Sequence, residues 1–299
     1  MRTKEYYLTN TVSHVVCAVA ALCAVLPFLL LITASLTDAT TVVKNGFSFL
    51  PEKWSFDAYQ YIAEEWETIG GAYFMTVAIT VIGVVAHVSI STLFAYGISK
   101  RNIPGMKLFS FLLIFSMLFN GGIVATYYTY VRYLSIKNTI WALIVPGLML
   151  NAVSVILIRN YFTYSIPPGL TEAAEIDGAG PWTTFLRVII PLSKPILATI
   201  GLMSGLAYWN DWMNGMYYLS SRNGSHLYTI QIVLNNIQND VNALVQSRDL
   251  MQQLGTSGAL PTATIRMGIA VIGILPILVA YPFFQRYFVK GITLGGVKE

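Results

Sequence analysis

Apolar residues in this 299-residue chain do not alternate with polar ones; they run together in six long blocks. The blocks cover residues 13–36, 71–99, 107–130, 139–161, 192–219 and 265–288. A helix rises 1.5 Å per residue, so about 20 mostly apolar residues cross the hydrocarbon layer of a bilayer. Each block meets that length. Lipid offers no partner to an exposed backbone N–H or C=O, so each block is predicted to be helical, and the connecting segments are too long and polar for a barrel. The expected fold class is all-α: a polytopic membrane protein with six transmembrane helices and both termini on one side.

Charge sets the orientation. Only 11% of residues are charged, against roughly 25% in soluble domains. Basic residues cluster on one face of the six-block scheme: Arg2 and Lys4; Lys100, Arg101 and Lys107; Arg159, Arg187 and Lys194; Arg286, Lys290 and Lys298. The opposite loop, 37–70, carries Asp38, Glu52, Asp57, Glu64, Glu65 and Glu67 against Lys44 and Lys53. Arg132, Lys137, Arg222, Arg248 and Arg266 also fall on that second face, so the bias is clear without being uniform. By the positive-inside rule both termini are cytoplasmic. The expected organisation is a cytoplasmic segment 1–12, a six-span domain 13–288 and a cytoplasmic tail 289–299. Its inner loop spans 162–191, and its long outer loops span 37–70 and 220–264. The first block is too long for a signal-peptide core and lacks a small-residue cleavage site, so it is expected to stay as an anchor. The location expected is a cell membrane.

Several chemistries are excluded or left without support. Net charge is +4 with no dense Lys/Arg run, which argues against nucleic acid as a partner. Cys17 and Cys23 both lie in the first block, so free thiols are expected and no disulfide or metal framework. His14, His87 and His226 are scattered and read as structural. Neither a G-x-x-x-x-G-K-[ST] loop nor an H-E-x-x-H pair occurs. The chain therefore is expected to hold no cofactor or metal and to catalyse no reaction itself.

The polar island between the fourth and fifth blocks stands out. Pro167 and Pro168 suit the start of a short helix, where a missing N–H costs little. Glu172 and Glu175 follow near its positive end. Gly178 can take the left-handed conformation that closes a helix, and Pro181 discourages continuation. Ala173 and Ala174 remove bulk, so a partner's groove can approach the backbone. The expected product is a stub of about ten residues that moves as a unit with the blocks on either side.

Thr171 to Pro195, TEAAEIDGAGPWTTFLRVIIPLSKP, resembles the cytoplasmic loop of carbohydrate-importer permeases of the ATP-binding-cassette type I class. Among them it is most similar to the smaller permease of maltose-type systems. Val188 and Ile190 stand where that family usually has Ile and Leu. Ala95 to Arg101 with Pro104-Gly105 is similar to the family's second-loop pattern, and Trp209-Asn210-Asp211 to its Trp-Asn-acidic cluster. Tyr281 to Gly291, ending in Gly295 to Lys298, is similar to the maltose-type tail. Asn120-Gly121-Gly122 with Thr126-Tyr127 resembles a subgroup that handles oligosaccharides, some containing uronates. The resemblance implies that Glu172, Ala173, Ala174, Asp177 and Gly178 seat in a cleft of an ATPase subunit, with Gly295, Gly296, Val297 and Lys298 touching the same partner. ATP and Mg would be held by that ATPase. It also implies a heterodimer with a second, related permease, two ATPase subunits, an extracytoplasmic solute-binding protein and a sugar substrate, in a bacterial cell membrane.

Polar residues inside apolar blocks are costly and mark functional candidates. Tyr208, Trp209, Asn210, Asp211, Trp212 and Asn214 offer the stacking rings and hydrogen-bonding groups that sugars need. The alternative is an interfacial aromatic belt with Asn and Asp bonded to a neighbouring helix. Asn120 and Gly121 either let the third span unwind along a cavity or let two helices pack closely. The stretch Ile237 to Leu254 and the aromatic residues Trp54, Tyr59, Tyr61 and Trp66 are either interfacial or a docking surface for an external protein. Gly201 and Gly205 form a small-residue face for helix packing that suits a partner permease, and Pro276 is expected to kink the sixth span. Two rival functions stay open. One is a permease of this architecture for a non-sugar solute; the other is a stand-alone membrane transporter or enzyme.

Overall fold

The structure, a computed structural model, describes residues 4–100, 103–237, 239 and 262–293. Among the described residues regular structure is helical, and the one β feature is an isolated antiparallel bridge between Thr37 and Trp54. In chain order the helices are α1 (Lys4–Ser35), α2 (Ala39–Asn45), α3 (Asp57–Glu64), α4 (Trp66–Ser99), α5 (Met106–Leu118) and α6 (Gly122–Tyr128). They continue as α7 (Trp141–Ile144), α8 (Ala152–Tyr164), α9 (Pro168–Ile176), α10 (Pro181–Thr184), α11 (Ile190–Leu192), α12 (Lys194–Trp209) and α13 (Met213–Tyr218). A helical stretch at 230–237 and the long α14 (Thr262–Thr293) complete the described chain. The tail residues Gly295, Gly296, Val297 and Lys298 and most of the Ile237–Leu254 stretch lie outside the described residues.

Among the described residues two unbroken helices are long and apolar enough to cross a bilayer: Thr9–Ser35 within α1, and α4. Exposed Val12, Val16, Leu22 and Phe28 give α1 an apolar surface that only lipid or another apolar partner can satisfy. Cys17 and Cys23 lie on it as exposed free thiols. The expectation of one helix per block needs correction at the fourth and fifth blocks, while the third breaks at Asn120-Gly121, where the sequence left unwinding open. Block three breaks after α5: Asn120 accepts the Gly122 N–H at 2.9 Å, and Gly122 takes φ +77°. Block four is α7 and α8, separated by a non-helical segment in which Gly147 has φ +71°. Asn151 then caps α8 by accepting from the N–H groups of Val153 and Ser154 at 2.9 and 3.3 Å. In block five α12 is bent by 76° from the preceding Pro181–Leu192 and ends at Trp209, with α13 following separately. By contrast, α14 continues as helix through Pro276 and Pro282.

Two compact units emerge. The first holds residues 1–69 and 234–275. In it Ala58 and Ile62 of α3 are buried, and Gly268 of α14 packs so closely that a Cβ there would lie 3.1 Å from Ile62 Cδ1. Ser35 and Tyr59 share a hydrogen bond of 2.8 Å. Asp38 caps α2, accepting from the Thr40 and Thr41 N–H groups, from the Thr40 hydroxyl and from Lys53 Nζ at 3.0 Å. The second unit holds 70–233 and 276–299. One of its cores gathers Ala95, Ile98, Val155, Ile158, Phe162, Phe185 and Ile200; the other gathers Ile79, Leu143, Ile144, Tyr208 and Ile232.

Candidate functional site: the Glu172 loop

Proline starts α9 and glycine ends it, as the sequence predicts. Pro168 occupies the first helical turn, where its missing N–H leaves nothing unsatisfied. At the other end Gly178 takes φ +81°, its N–H reaching the Glu175 carbonyl at 3.0 Å, while the Ala179 N–H reaches the Ala174 carbonyl at 2.9 Å. These two crossed bonds make a Schellman closure, which satisfies the last carbonyls and fixes where the chain leaves the helix. The stub is thus nine residues long and stiff at both ends.

No residue of α9 is buried. Glu172, Ala173, Asp177 and Gly178 are exposed and Ala174 is half-buried. Ile176 is 86% exposed and Tyr164, just before the stub, 80%. Leu170, Trp182 and Leu186 are exposed as well. Single exposed apolar residues are ordinary, but a cluster of them on a loop helix marks an interaction surface. Ile176 and Trp182 were missed in reading the sequence for charge and small residues; the signal available was an aliphatic residue in an otherwise polar island.

The stub is fastened to α4 by contacts that no sequence spacing announces. Tyr96, in the last turns of α4, donates its hydroxyl to the Pro181 carbonyl at 3.2 Å. Its ring lies 4.7 Å from Phe185 and 6.4 Å, edge to face, from Phe162 of α8. Lys100 then sits 5.4 Å over the Tyr96 ring and 3.6 Å from Glu175. The partner of Lys100 is therefore Glu175, leaving Glu172 without an ion pair among the described residues. A π turn over Phe185–Ile189 buries Phe185 and Ile189 in the core below, and the Tyr161 hydroxyl donates to the Leu192 carbonyl at 3.2 Å. Packed side chains and hydrogen bonds thus join the α9 loop to α4, α8 and the bend before α12.

The second group of sequence candidates divides. Tyr208 is 2% exposed, donates to the Ile144 carbonyl at 2.9 Å and presses its ring against Gly83, where a Cβ would lie 2.5 Å away. It packs α12 onto α4 and is not open to a solute in this structure. Trp209 is also buried, edge to face with Tyr73 at 5.9 Å. Asp211 accepts the Asn214 N–H at 3.2 Å, and Asn214 donates its amide to the Pro146 carbonyl at 3.1 Å. Asn210 and Trp212 are exposed. Asn120 and Gly121 are exposed at the break between α5 and α6. Gly201 and Gly205 face Val84 of α4 at 3.9 and 3.6 Å, so their small-residue face is used within the chain. His87 is buried with its two ring nitrogens against the Leu148 carbonyl and the Ser154 hydroxyl, a structural arrangement.

Residues 90–294 match the family described as "Binding-protein-dependent transport system inner membrane component". Over 280 residues the chain is 38% identical to the "Polygalacturonan/rhamnogalacturonan transport system permease protein YtcP" of Bacillus subtilis (strain 168), covering 93% of this chain and 94% of that one. It is 27% identical to the "Arabinooligosaccharides transport system permease protein AraQ" of Halalkalibacterium halodurans, covering 94% of each. A chain in the crystal structure of a bacterial ABC transporter involved in the import of the acidic polysaccharide alginate superposes with a TM-score of 0.79 and 29% identity, over 96% of this chain and 99% of that one.

Proposed function

The chain belongs to the family of binding-protein-dependent transport system inner membrane components, and on that premise we propose that it is the smaller permease of an ATP-driven importer of oligosaccharides. It is a transport permease and not an enzyme, as its named relatives are. Its solute is a uronate-containing oligosaccharide. Support for that solute comes from the polygalacturonan/rhamnogalacturonan and alginate systems among its relatives. Six crossings, the broken ones included, with both termini in the cytoplasm, put the Glu172 loop beside the motor.

The observation that carries the reading is the uncovered α9 stub. Among the described residues Glu172 has no ion-pair partner, Ile176 is bare, and the closure at Gly178 makes the stub rigid. A groove on an ATPase subunit covers that surface. Nucleotide-driven closure of the ATPase pair moves α9, and Tyr96 and Phe185 carry the shift into α4 and α12. The switch is a two-state element whose populations a partner's nucleotide sets, with this chain supplying geometry. A second permease, two ATPase subunits and an extracytoplasmic binding protein complete the assembly. The binding protein meets the outer loop 37–70, where Trp54, Phe56 and Trp66 are exposed. Asn120, Gly121, Asn210 and Trp212 line the solute path.

Uptake by vesicles holding the whole assembly tests this. Labelled oligogalacturonide should enter in an ATP- and binding-protein-dependent way and be competed by unlabelled oligouronide, not by peptide. Uptake without ATPase subunits, or competition by peptide alone, overturns it.

A further inference from the structure

We propose that the cleft between the ends of α4, α5 and α8 binds an anionic phospholipid, headgroup outward and acyl chain along α5. The cleft, of about 880 Å³, gathers three cations from three separate segments: Lys100 after α4, Lys107 in the first turn of α5, and Arg159 of α8. None of its described lining residues is acidic. Lys100 has Glu175 at 3.6 Å, but Lys107 and Arg159 have no ion pair among the described residues. The Arg159 Nε is buried with no hydrogen-bond partner among the described residues. A buried guanidinium nitrogen left unpaired is costly. An anion in the cleft removes that cost.

The polarity of the lining selects the kind of anion. Lys107, Ser110, Phe111 and Ile114 all line the cleft and stand at i, i+3, i+4 and i+7 on α5, one face of the helix. Charge sits at the helix end, and an aromatic and an aliphatic residue follow about one and two turns deeper, roughly 10 Å in all. A phosphodiester fits beside the cations while a hydrocarbon chain covers Phe111 and Ile114. A sugar carboxylate satisfies the cations but leaves the apolar depth empty. Basic pockets between membrane helices take anionic headgroups by this same division of polarity. The site is independent of the solute assignment, since none of its residues belongs to the proposed path.

The test is native mass spectrometry of the assembled complex, released from bilayers of equal phosphatidylglycerol and phosphatidylcholine. Wild-type complex should retain phosphatidylglycerol in preference to phosphatidylcholine. Lys107→Gln and Arg159→Gln should each lower that preference about fivefold, and Lys137→Gln on the opposite face should not. Lys107 is exposed, so its replacement is informative even if the Arg159 variant fails to assemble. Ile114→Asn should weaken retention of the lipid with the cations intact. Equal retention of both lipids, or unchanged preference in Lys107→Gln, overturns the proposal. So does displacement of phosphatidylglycerol by oligogalacturonide or by inorganic phosphate, which would assign the cleft to a soluble anion.

Discussion

Tyr96 donates its hydroxyl to the carbonyl of Pro181 at 3.2 Å while its ring rests 4.7 Å from Phe185, so one side chain of α4 grips both the first residue of α10 and the π turn that follows. Residues 85 positions apart in sequence are joined at the point where the α9 stub returns to the helical body. In the proposed mechanism this is where motion changes hands.

Tyr96→Phe removes the hydrogen bond and keeps the stacking, a loss of about 0.5–1.5 kcal/mol. Tyr96→Ala removes the ring as well, a larger loss of about 1.5–3 kcal/mol. Transport should therefore fall modestly in the first variant and steeply in the second, while ATP hydrolysis by the assembly persists in both. Equal transport in Tyr96→Ala and wild type removes the hub from the mechanism.

Gly178→Ala places a side chain at φ +81°, where no neighbouring atom lies within 4 Å of the new Cβ. The cost is therefore conformational, about 1–2 kcal/mol, and it loosens the end of α9. Gly178→Asn should cost less, because Asn tolerates this region. Uptake ranked wild type, Asn, Ala is the expected order; the reverse order contradicts the closure argument.

Lys100 and Glu175 are partly exposed, with side chains 33% and 62% accessible, so their pair contributes at most about 1 kcal/mol and is screened by salt. Single replacements should reduce uptake only slightly at low ionic strength. The swap Lys100→Glu with Glu175→Lys should recover part of the loss. A large, salt-insensitive defect would mean that Glu175 serves the partner rather than Lys100.

Asp38, the cap of α2, is held down to about 2 by hydrogen bonds from the Thr40 hydroxyl and from Lys53, with the Thr41 N–H adding to them. A carboxyl whose folded value lies below the ordinary 3.8 stabilises the fold above that value and loses the effect as pH falls toward 2. The α2 cap should thus survive at pH 4 and open below pH 3, read as faster amide exchange at Thr40 and Thr41. Lys53→Met should shift the opening to higher pH. An opening already complete at pH 5 contradicts the cap.

Much of the loop was legible in sequence because its signals are local. Pro168 and Gly178 bracket a helix by their own backbone restrictions, and the structure places them as those restrictions require. The break in the fourth block was less legible for a specific reason. Pro146-Gly147 and Asn151 are ordinary turn and cap signals. Hydropathy summed over the fourth block outweighed them, because apolarity measures where a segment sits and not whether its backbone stays helical. Tyr96–Pro181 and Lys100–Glu175 had no signal at all, since no periodicity links residues so far apart in the chain. Tyr208 misled by chemistry: an aromatic hydroxyl beside Trp, Asn and Asp suggests sugar, yet it is spent on the Ile144 carbonyl.

The most direct measurement is cysteine cross-linking from α9 to the ATPase in the assembled importer. With Cys17 and Cys23 replaced by Ser, a single cysteine at Ala174 should cross-link to a cysteine in the ATPase groove, with a yield that changes on adding ATP. Ile176→Cys should do the same, and Lys137→Cys, on the face proposed to be external, should not. Cross-links confined to lipid or absent in every nucleotide state, while uptake proceeds, would contradict the role of α9 as the part the motor holds.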